Sequence, residues 1–454
     1  MPNYTTVSLH DAPELLPEDF IKRSGEDLGE EADDFLNSLT KEPVASLRVN
    51  PLKVPEGTDA VQRFRDAAEF TTLEEVSWER NGFYYASPDQ PGKHPMHEAG
   101  VYYIQEASAM LPVTLLEPLP GERILDLCAA PGGKTTQIAG YMAGKGLLVT
   151  NEVNGERARI LSENVERMGI PNALVLNETV QRLSAAFPAC FDRILVDAPC
   201  SGEGMFRKNA DACRQWSLSA TEDCAARQKE ILDHAAIMLR PGGRLVYSTC
   251  TFAPVEDEEQ MTSFVREHPE FTLVSMHRIW PHKDRGEGHF SAVLIKEGDA
   301  KASSLKGEDL TSVTDKNLES LRLFWEETLK KNLPSRVLLF GDQVYQTPDE
   351  MPRLRGLKVL RAGLHLGTLK KNRFEPSHAL ALSLKPEDAV HVADLSHNEK
   401  DLTAYLNGMT LHHEGDKGWY LVVDHGYTYG WGKLSGQVLK NHYPIGLRRY
   451  WMTD

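Results

Sequence analysis

In the middle of the chain, short and nearly unbroken apolar runs alternate with stretches of helical periodicity. RILDLCAA, beginning at Arg123, is the first run, and GLLVTNEV, ALVLN, FDRILVDAP and GGRLVYSTC follow it. Between them TTQIAGYM, GERARILSENVERMG and QKEILDHAAIML place apolar residues at helical spacing. Strands that lack polar alternation are buried on both faces, and helices alternating with them supply the cover. The pattern predicts an α/β domain with a parallel sheet over residues 121–296.

Residues 1–120 mix extended and helical patterns. LRVNPL reads as extended, and YYIQEASAMLPVTLL as a helix running toward Leu119-Pro120-Gly121. Residues 297–318 are polar and charged and read as a linker. Residues 319–454 hold short strand-like pieces, RVLLFGDQVYQ, GLKVLRAGLHLGTLK and GWYLVVDHGYTYGWGK, with helical SHALALSL and EKDLTAYLNG between them. This predicts a small β-rich domain. No internal repeat is visible.

A hydrophobic content of 41% and a charged content of 26% suit a globular chain rather than a disordered one. No apolar run is long enough for a membrane span. The N-terminus has no basic start followed by an apolar core, so no secretory leader is expected. Six cysteines without a CxxC pair argue against a disulfide scaffold and a cysteine-based zinc site, so a reduced, cytoplasmic protein without a metal is expected. The net charge of −16 disfavours nucleic-acid binding over the whole surface. The charge is uneven, however. Residues 1–42 hold eleven acids against three bases. Residues 351–378 hold Arg353, Arg355, Lys358, Arg361, Lys370, Lys371 and Arg373 against the single acid Glu375, and Lys433, Lys440, Arg448 and Arg449 lie in the chain end before Trp451. A basic region in an acidic chain is either a local anion-binding surface or a solvated face.

The turn Cys128-Ala129-Ala130-Pro131-Gly132-Gly133-Lys134 joins a strand to a helix, where backbone N–H groups face a polar or anionic ligand. A phosphate loop requires a glycine five residues before Gly133; that position is Cys128, and Pro131 lies inside the loop. A nucleoside cofactor at the carboxyl end of the sheet fits better. Glu152 ends the second strand, where an acid can accept both ribose hydroxyls; its other reading is a charge at a helix N-terminus. Without G-x-G-x-x-G a nicotinamide dinucleotide is disfavoured, leaving S-adenosylmethionine.

Cys200, in Asp197-Ala198-Pro199-Cys200, and Cys250, in Ser248-Thr249-Cys250, end two further strands beside this turn. A single buried cysteine is ordinarily a small core hydrophobe. Two at adjacent strand ends suit a different purpose. Carbon 5 of a pyrimidine is a poor nucleophile, and a thiolate added to carbon 6 makes it enamine-like and able to attack a methyl group. A base must then remove the carbon 5 proton, and an acid near ring nitrogen 3, where Asp197 is placed, stabilises the adduct.

CAAPGGK at 128–134, DAPCSGEGMFRK at 197–208 and STC at 248–250, in this order and spacing, resemble the RNA 5-methylcytosine methyltransferases of the Fmu/RsmF/Sun group over about residues 95–296. LRVN around Arg48 and QEASAM at 105–110 are similar to that family's substrate-side lead-in, and GWGKLSGQVLKNHYPIGLR resembles the PUA-like appendage of the RsmF branch. The resemblance implies a Rossmann-like class I S-adenosylmethionine-dependent core between an N-terminal RNA-side domain and a C-terminal PUA-like domain. It implies a monomer that methylates cytosine in RNA, 16S ribosomal RNA first and tRNA or 23S ribosomal RNA as the alternative, with no DNA or membrane partner. It assigns Cys250 as nucleophile, Cys200 to product release, residues 128–134 to the methionine side of the cofactor, Glu152 to its ribose and Asp197 as a second cofactor-side acid. Where relatives often carry an aspartate after the third strand this chain has Thr179, and either Asn177 or Thr179 would make the adenine-side contact.

The rival to an enzyme is a non-catalytic ribosome-assembly protein on the same fold, which retention of both cysteines, Asp197 and Glu152 disfavours. Arg207 and Lys208 either hold RNA phosphates or belong to a solvated loop. His289 is expected at a strand start in a structural role. Trp419, Tyr420, Tyr427, Tyr429 and Trp431 are expected mainly as core, with base stacking as their other reading. Removing residues 319–454 is expected to weaken RNA binding and spare cofactor binding.

Overall fold

The computed structural model describes residues 9–448 apart from Asp11, Glu56, Ser87, residues 304–306 and Asp349. Arg449 and Trp451 of the basic chain end, and residues 1–8 of the N-terminus, lie outside the described residues. No described helix is long and apolar enough to cross a membrane.

The N-terminal region holds helices Glu18–Leu28 and Ala32–Leu39, which pack through Phe20, Phe35 and Leu39 on Phe206, Trp216 and Phe252, and a four-stranded sheet in the order β2-β3-β1-β4, built from β1 (Ser46–Val49), β2 (Leu73–Val76), β3 (Glu79–Tyr85) and β4 (Tyr102–Ile104). The segment read as one helix, 102–116, is instead strand β4, a 3-10 turn at Ser108–Met110 and a short helix at Leu111–Leu116. Tyr102 and Tyr103 pair with Val49 and Arg48 of β1. The Glu106 carboxylate accepts the amides of Ser108 and Ala109, which starts a new turn.

The central sheet has the order β10-β11-β9-β8-β5-β6-β7-β15. Strands β5 (Arg123–Asp126), β6 (Leu147–Asn151), β7 (Ala173–Leu176), β8 (Phe191–Asp197) and β9 (Leu239–Thr249) run parallel, as their apolar runs predict. The sheet is nevertheless mixed. β10 (Phe271–Ile279) and β11 (His289–Lys296) extend one edge antiparallel, and β15 (Val359–Ala362) closes the other. Strand order reverses at β5, so the carboxyl ends of β5, β6 and β8 open a crevice at the switch point.

The helix Gly133–Met142 that follows β5 is buried along almost its whole length. Its exposed side is covered by the N-terminal region, where the buried guanidinium of Arg48 donates to Gln105 Oε1, Gly133 O and Thr136 Oγ1. Arg48 therefore holds the N-terminal sheet against the start of this helix.

The stretch read as a linker, 297–318, contains β12 (Thr311–Ser312) and a 3-10 turn at Lys316–Leu318. From β12 onward the β-rich part forms two five-stranded sheets. The first orders β12 with β13 (Arg336–Phe340), β14 (Gln343–Gln346), β16 (Leu364–Lys370) and β17 (Arg373–Pro376). The second orders β18 (Val392–Asp394), β20 (Gly418–Asp424), β21 (Tyr427–Ser435), β22 (Val438–Asn441) and β19 (Leu411–His412). The two share a core around Trp325, Leu366 and Trp431. Tyr420, Tyr429 and Trp431 are buried, and the Trp431 indole donates to Ser377 O, so these aromatics are core.

Candidate active site

A cavity of about 670 Å³ opens at the carboxyl ends of the parallel strands. Each parallel strand ends in a residue that lines it: Cys128 after β5, Glu152 after β6, Thr179 after β7, Asp197 at the end of β8 with Cys200 beyond it, and Cys250 after β9. The 128–134 turn contributes unequally. Cys128 and Ala130 face the cavity. Ala129 N–H donates to Asn151 O, and Pro131 O accepts from Asn164 Nδ2. Gly132 has φ +115° and a Cβ on it would lie 3.1 Å from Leu161 Cδ1, so this turn requires glycine. Gly133 packs under Tyr103 and Gln105. Ala129, Pro131, Gly132 and Gly133 thus shape the turn from behind, and Lys134 Nζ reaches past the turn to Asp197 Oδ2 at 2.8 Å.

At one end of the cavity, Glu152 is 4% exposed. Its Oε1 accepts the amide of Asn154 at 2.8 Å, and its Oε2 lies 3.3 Å from Arg157. Arg157 also donates to Ala130 O, so one guanidinium ties the Glu152 strand end to the 128–134 turn. Asn177 is occupied: its amide donates to the carbonyls of Glu152 and Val153 and holds the Glu152 loop. Thr179 is exposed on the cavity wall and caps the helix Val180–Ala186 through Arg182 N. Of the two adenine-side candidates, only Thr179 faces the cavity.

At the other end, Cys200 Sγ and Cys250 Sγ are 3.4 Å apart. The hydrogen bond to Cys250, then burial and the charge of that neighbour, push the Cys200 thiol well above its ordinary range. The two turns are tied together. Ser201 contacts Thr251 through their hydroxyls, and the Glu256 carboxylate accepts both the amide and hydroxyl of Ser201 and the Gln228 side chain.

Asp197 sits between the two ends. Burial favours its neutral form, but Lys134 and the imidazole of His289 outweigh it and hold the carboxyl well below the usual carboxylate range. Ser248, its register partner on β9, donates to Asp197 Oδ1 at 2.8 Å. His289 does begin β11, yet its buried Nε2 lies 3.5 Å from Asp197 Oδ1, inside the site. Asp126, wholly buried at the end of β5, is raised to about 7 by desolvation.

Arg157, Ser248 and Glu256 were not visible as site residues in the sequence. Ser248 alone had a signal, since parallel pairing of β8 with β9 sets it opposite Asp197. Arg207 does not face the site: it is buried, donating to Glu287, Ser38 O and Gly286 O, so it braces the loop beyond Cys200 rather than reaching for phosphates.

Four family descriptions match consecutive parts of the chain. They are the N-terminal domain of 16S rRNA methyltransferase RsmF at residues 16–107, 16S rRNA methyltransferase RsmB/F at 113–295, the RsmF rRNA methyltransferase first C-terminal domain at 323–384 and the methyltransferase RsmF PUA domain at 392–449. The chain is 31% identical to the ribosomal RNA small subunit methyltransferase F of Erwinia tasmaniensis, over 97% of its own length and 98% of the relative's. It is 33% identical to the protein of the same name from Citrobacter koseri, over 92% and 93%. Among solved structures, a methyltransferase homolog from Pyrococcus horikoshii superposes with a TM-score of 0.56 at 28% identity, covering 62% of this chain and 96% of that one. With four family descriptions matched in order and 97% of its length aligned to a relative at 31% identity, the chain belongs to the RsmF family of 16S ribosomal RNA methyltransferases.

Proposed function

We propose that the chain forms 5-methylcytosine in small-subunit ribosomal RNA through a covalent adduct on Cys250. The observation that carries this reading is the pair of sulfurs 3.4 Å apart in the cavity wall, with Asp197 on the same lining.

The cavity fits S-adenosylmethionine: a buried carboxylate at the end of β6 for the ribose, apolar walls from Leu127, Val180 and Ile231, and a volume suited to a nucleoside. Glu152 would hold the ribose, Thr179 would border the base, and Cys128 and Ala130 the methionine side. Bound there, the cofactor supplies an electrophilic methyl group.

The chain's own residues carry the rest. Cys250 as thiolate adds to carbon 6 of an unstacked cytosine, and the S–C6 bond makes carbon 5 nucleophilic. Asp197 is ionised at rest, so it acts as an acceptor for the exocyclic amine rather than as a proton donor. Lys134, already held by Asp197, brings positive charge beside the ring. Cys200 changes character during the cycle. Its thiol is kept protonated first of all by the bond to Cys250 and also by that neighbour's charge. Both influences vanish once Cys250 is bonded to carbon. Cys200 must first release its thiol proton to water; as thiolate it takes the carbon 5 proton, the C5–H electron pair restores the C5=C6 double bond, and the S–C6 bond breaks so that Cys250 leaves as thiolate. In this reading Cys250 is the nucleophile and Cys200, 3.4 Å away, is the group that resolves the adduct.

The test is a denaturing gel after incubation with RNA and cofactor. Cys250→Ser is expected to abolish methylation without a covalent complex, whereas Cys200→Ser is expected to accumulate a protein–RNA band. A trapped band for Cys250→Ser alone reverses the assignment, and activity retained in both variants removes thiolate catalysis. Bisulfite sequencing of small-subunit RNA from a deletion strain identifies the position: loss of a protected cytosine is expected.

A further inference from the structure

Residues 351–362 leave the C-terminal half, join the catalytic sheet and return. Along this segment buried and exposed residues interleave. Met351, Leu354 and Ala362 are buried in the same core as β5–β9, while Arg353, Arg355 and Lys358 are exposed, with no ion-pair or side-chain hydrogen-bond partner among the described residues. Of the other cations of the basic region, Lys371 is exposed on the β16–β17 hairpin, Lys370 lies 3.9 Å from Asp342, and two are tied down. Arg361 is buried against Glu166 and Ser162 of the helix Gly155–Arg167, and Arg373 pairs with Glu375.

The backbone of the same segment forms the outer support of the cavity wall after β7. Lys358 N–H donates to Glu178 Oε1 at 2.6 Å, and Asn177 N–H donates to Lys358 O at 3.0 Å. The second oxygen of Glu178 is taken by Arg182, which also donates to Gly356 O. Glu178 and Thr179 line the cavity, and Asn177 holds the carbonyl of Glu152. One short segment therefore carries three unpaired cations on its outer side and fixes the far wall of the cavity on its inner side.

We infer that residues 353–358 are an RNA-phosphate docking loop whose occupation tightens cofactor binding. The inference rests on reading the cavity as the cofactor site and the chain as RNA-binding. Phosphates on Arg353, Arg355 and Lys358 hold the loop in the arrangement seen here, in which the Lys358 amide donates to Glu178 Oε1, so the Glu178–Thr179 wall is kept in its binding position. Coupling of this kind is reciprocal, so bound cofactor also tightens RNA.

The test uses the full-length protein, S-adenosylhomocysteine as calorimetric probe, and a transcript of small-subunit ribosomal RNA at saturation, with RNA affinity measured by filter binding. In the unmodified protein RNA is expected to tighten the probe about fivefold or more, at the scale typical of coupled sites. The triple change Arg353→Ala, Arg355→Ala, Lys358→Ala is expected to weaken RNA binding and bring that ratio to one. The control triple Lys370→Ala, Lys371→Ala, Arg373→Ala, on the β16–β17 hairpin, is expected to weaken RNA binding and keep the ratio. Overturning results are a ratio of one in the unmodified protein with RNA bound, a ratio that survives the first triple, or equal loss of it in both. No heat with the probe in any protein, with or without RNA, is the separate failure of the cofactor reading itself.

Discussion

Replacing Glu152 by alanine tests the cofactor reading at its most specific point. A carboxylate offers about four lone-pair sites. One is used by the Asn154 amide, and Oε2 meets Arg157 only at 3.3 Å, so two remain for a pair of ribose hydroxyls. Each such bond to a buried charge contributes about 1.5–3 kcal/mol. The loss expected for Glu152→Ala is therefore at least about 3 kcal/mol, more than a hundredfold in Kd at about 1.4 kcal/mol per tenfold. Glu152→Gln keeps an acceptor for Asn154 and for one hydroxyl, so its loss is expected near tenfold. The assay is calorimetry with S-adenosylhomocysteine on folded protein. Thermal unfolding run in parallel reads the purely local role, the Asn154 bond to the same carboxylate, whose loss costs about 1.5–3 kcal/mol. A Glu152→Ala protein with undiminished affinity and a lowered Tm refutes the reasoning: Glu152 would then be a loop brace, the other reading its position allows.

Two further substitutions probe the frame around the site. His378 has both ring nitrogens buried with no hydrogen-bond partner among the described residues, and desolvation lowers it to about 4. The unfolded chain takes up a proton near 6.5 that the folded chain refuses, so stability falls as pH drops from 6.5 toward 4, by up to about 3 kcal/mol. His378→Leu is expected to remove that part of the acid sensitivity in urea titrations at pH 7 and pH 4.5; an identical fall in both proteins contradicts it. Glu203 is fully buried and accepts two bonds from Arg23, one from the Trp216 indole and one from the Phe252 amide just beyond Cys250. Glu203→Ala leaves a largely buried guanidinium with Asp27, at 3.4 Å, in place of the bidentate carboxylate and is expected to cost about 3 kcal/mol in urea unfolding. A change below about 1 kcal/mol would show that Arg23 finds water instead.

The chemistry of the site was legible because it sits where sequence is most local. Every parallel strand announces itself as an apolar run, and the residue that follows it lands at the carboxyl edge whatever the rest of the chain does. Cys128, Glu152, Thr179, Asp197, Cys200 and Cys250 all lie at such ends. The supporting residues are not local. Arg157 reaches Glu152 and Ala130 from a helix, and Glu256 holds Ser201 across 55 positions of sequence. The sequence places His289 at a strand start in a structural role, since nothing in GEGHFSAVL indicates that β11 runs beside β9 and brings the ring to Asp197. The 102–116 segment misled for the opposite reason: its apolar spacing suits a helix, but pairing of Tyr102 and Tyr103 with β1 outweighs local propensity.

The largest departure concerns the C-terminal half. Read along the chain, GLKVLRAGLHLGTLK is a strand of a separate RNA module, and its removal spares the cofactor site. In space the piece divides. Val359–Ala362 pairs antiparallel with β7 of the catalytic sheet, and Leu364–Lys370 belongs to the neighbouring sheet. Gly363, between them, donates its amide to Ala173 O of β7. A chain ending at residue 318 would lose the edge strand of β7, the amide that holds Glu178 and the Arg361–Glu166 contact together. It would also bare the apolar surface covered by Met351, Leu354 and Ala362. An exposed parallel edge is a pairing hazard that native folds cover, and here the cover comes from the region that carries the cations. The catalytic sheet and the basic segment are thus one folding unit at this edge, so a change made to disable RNA binding must be made on side chains that face solvent, not by truncation.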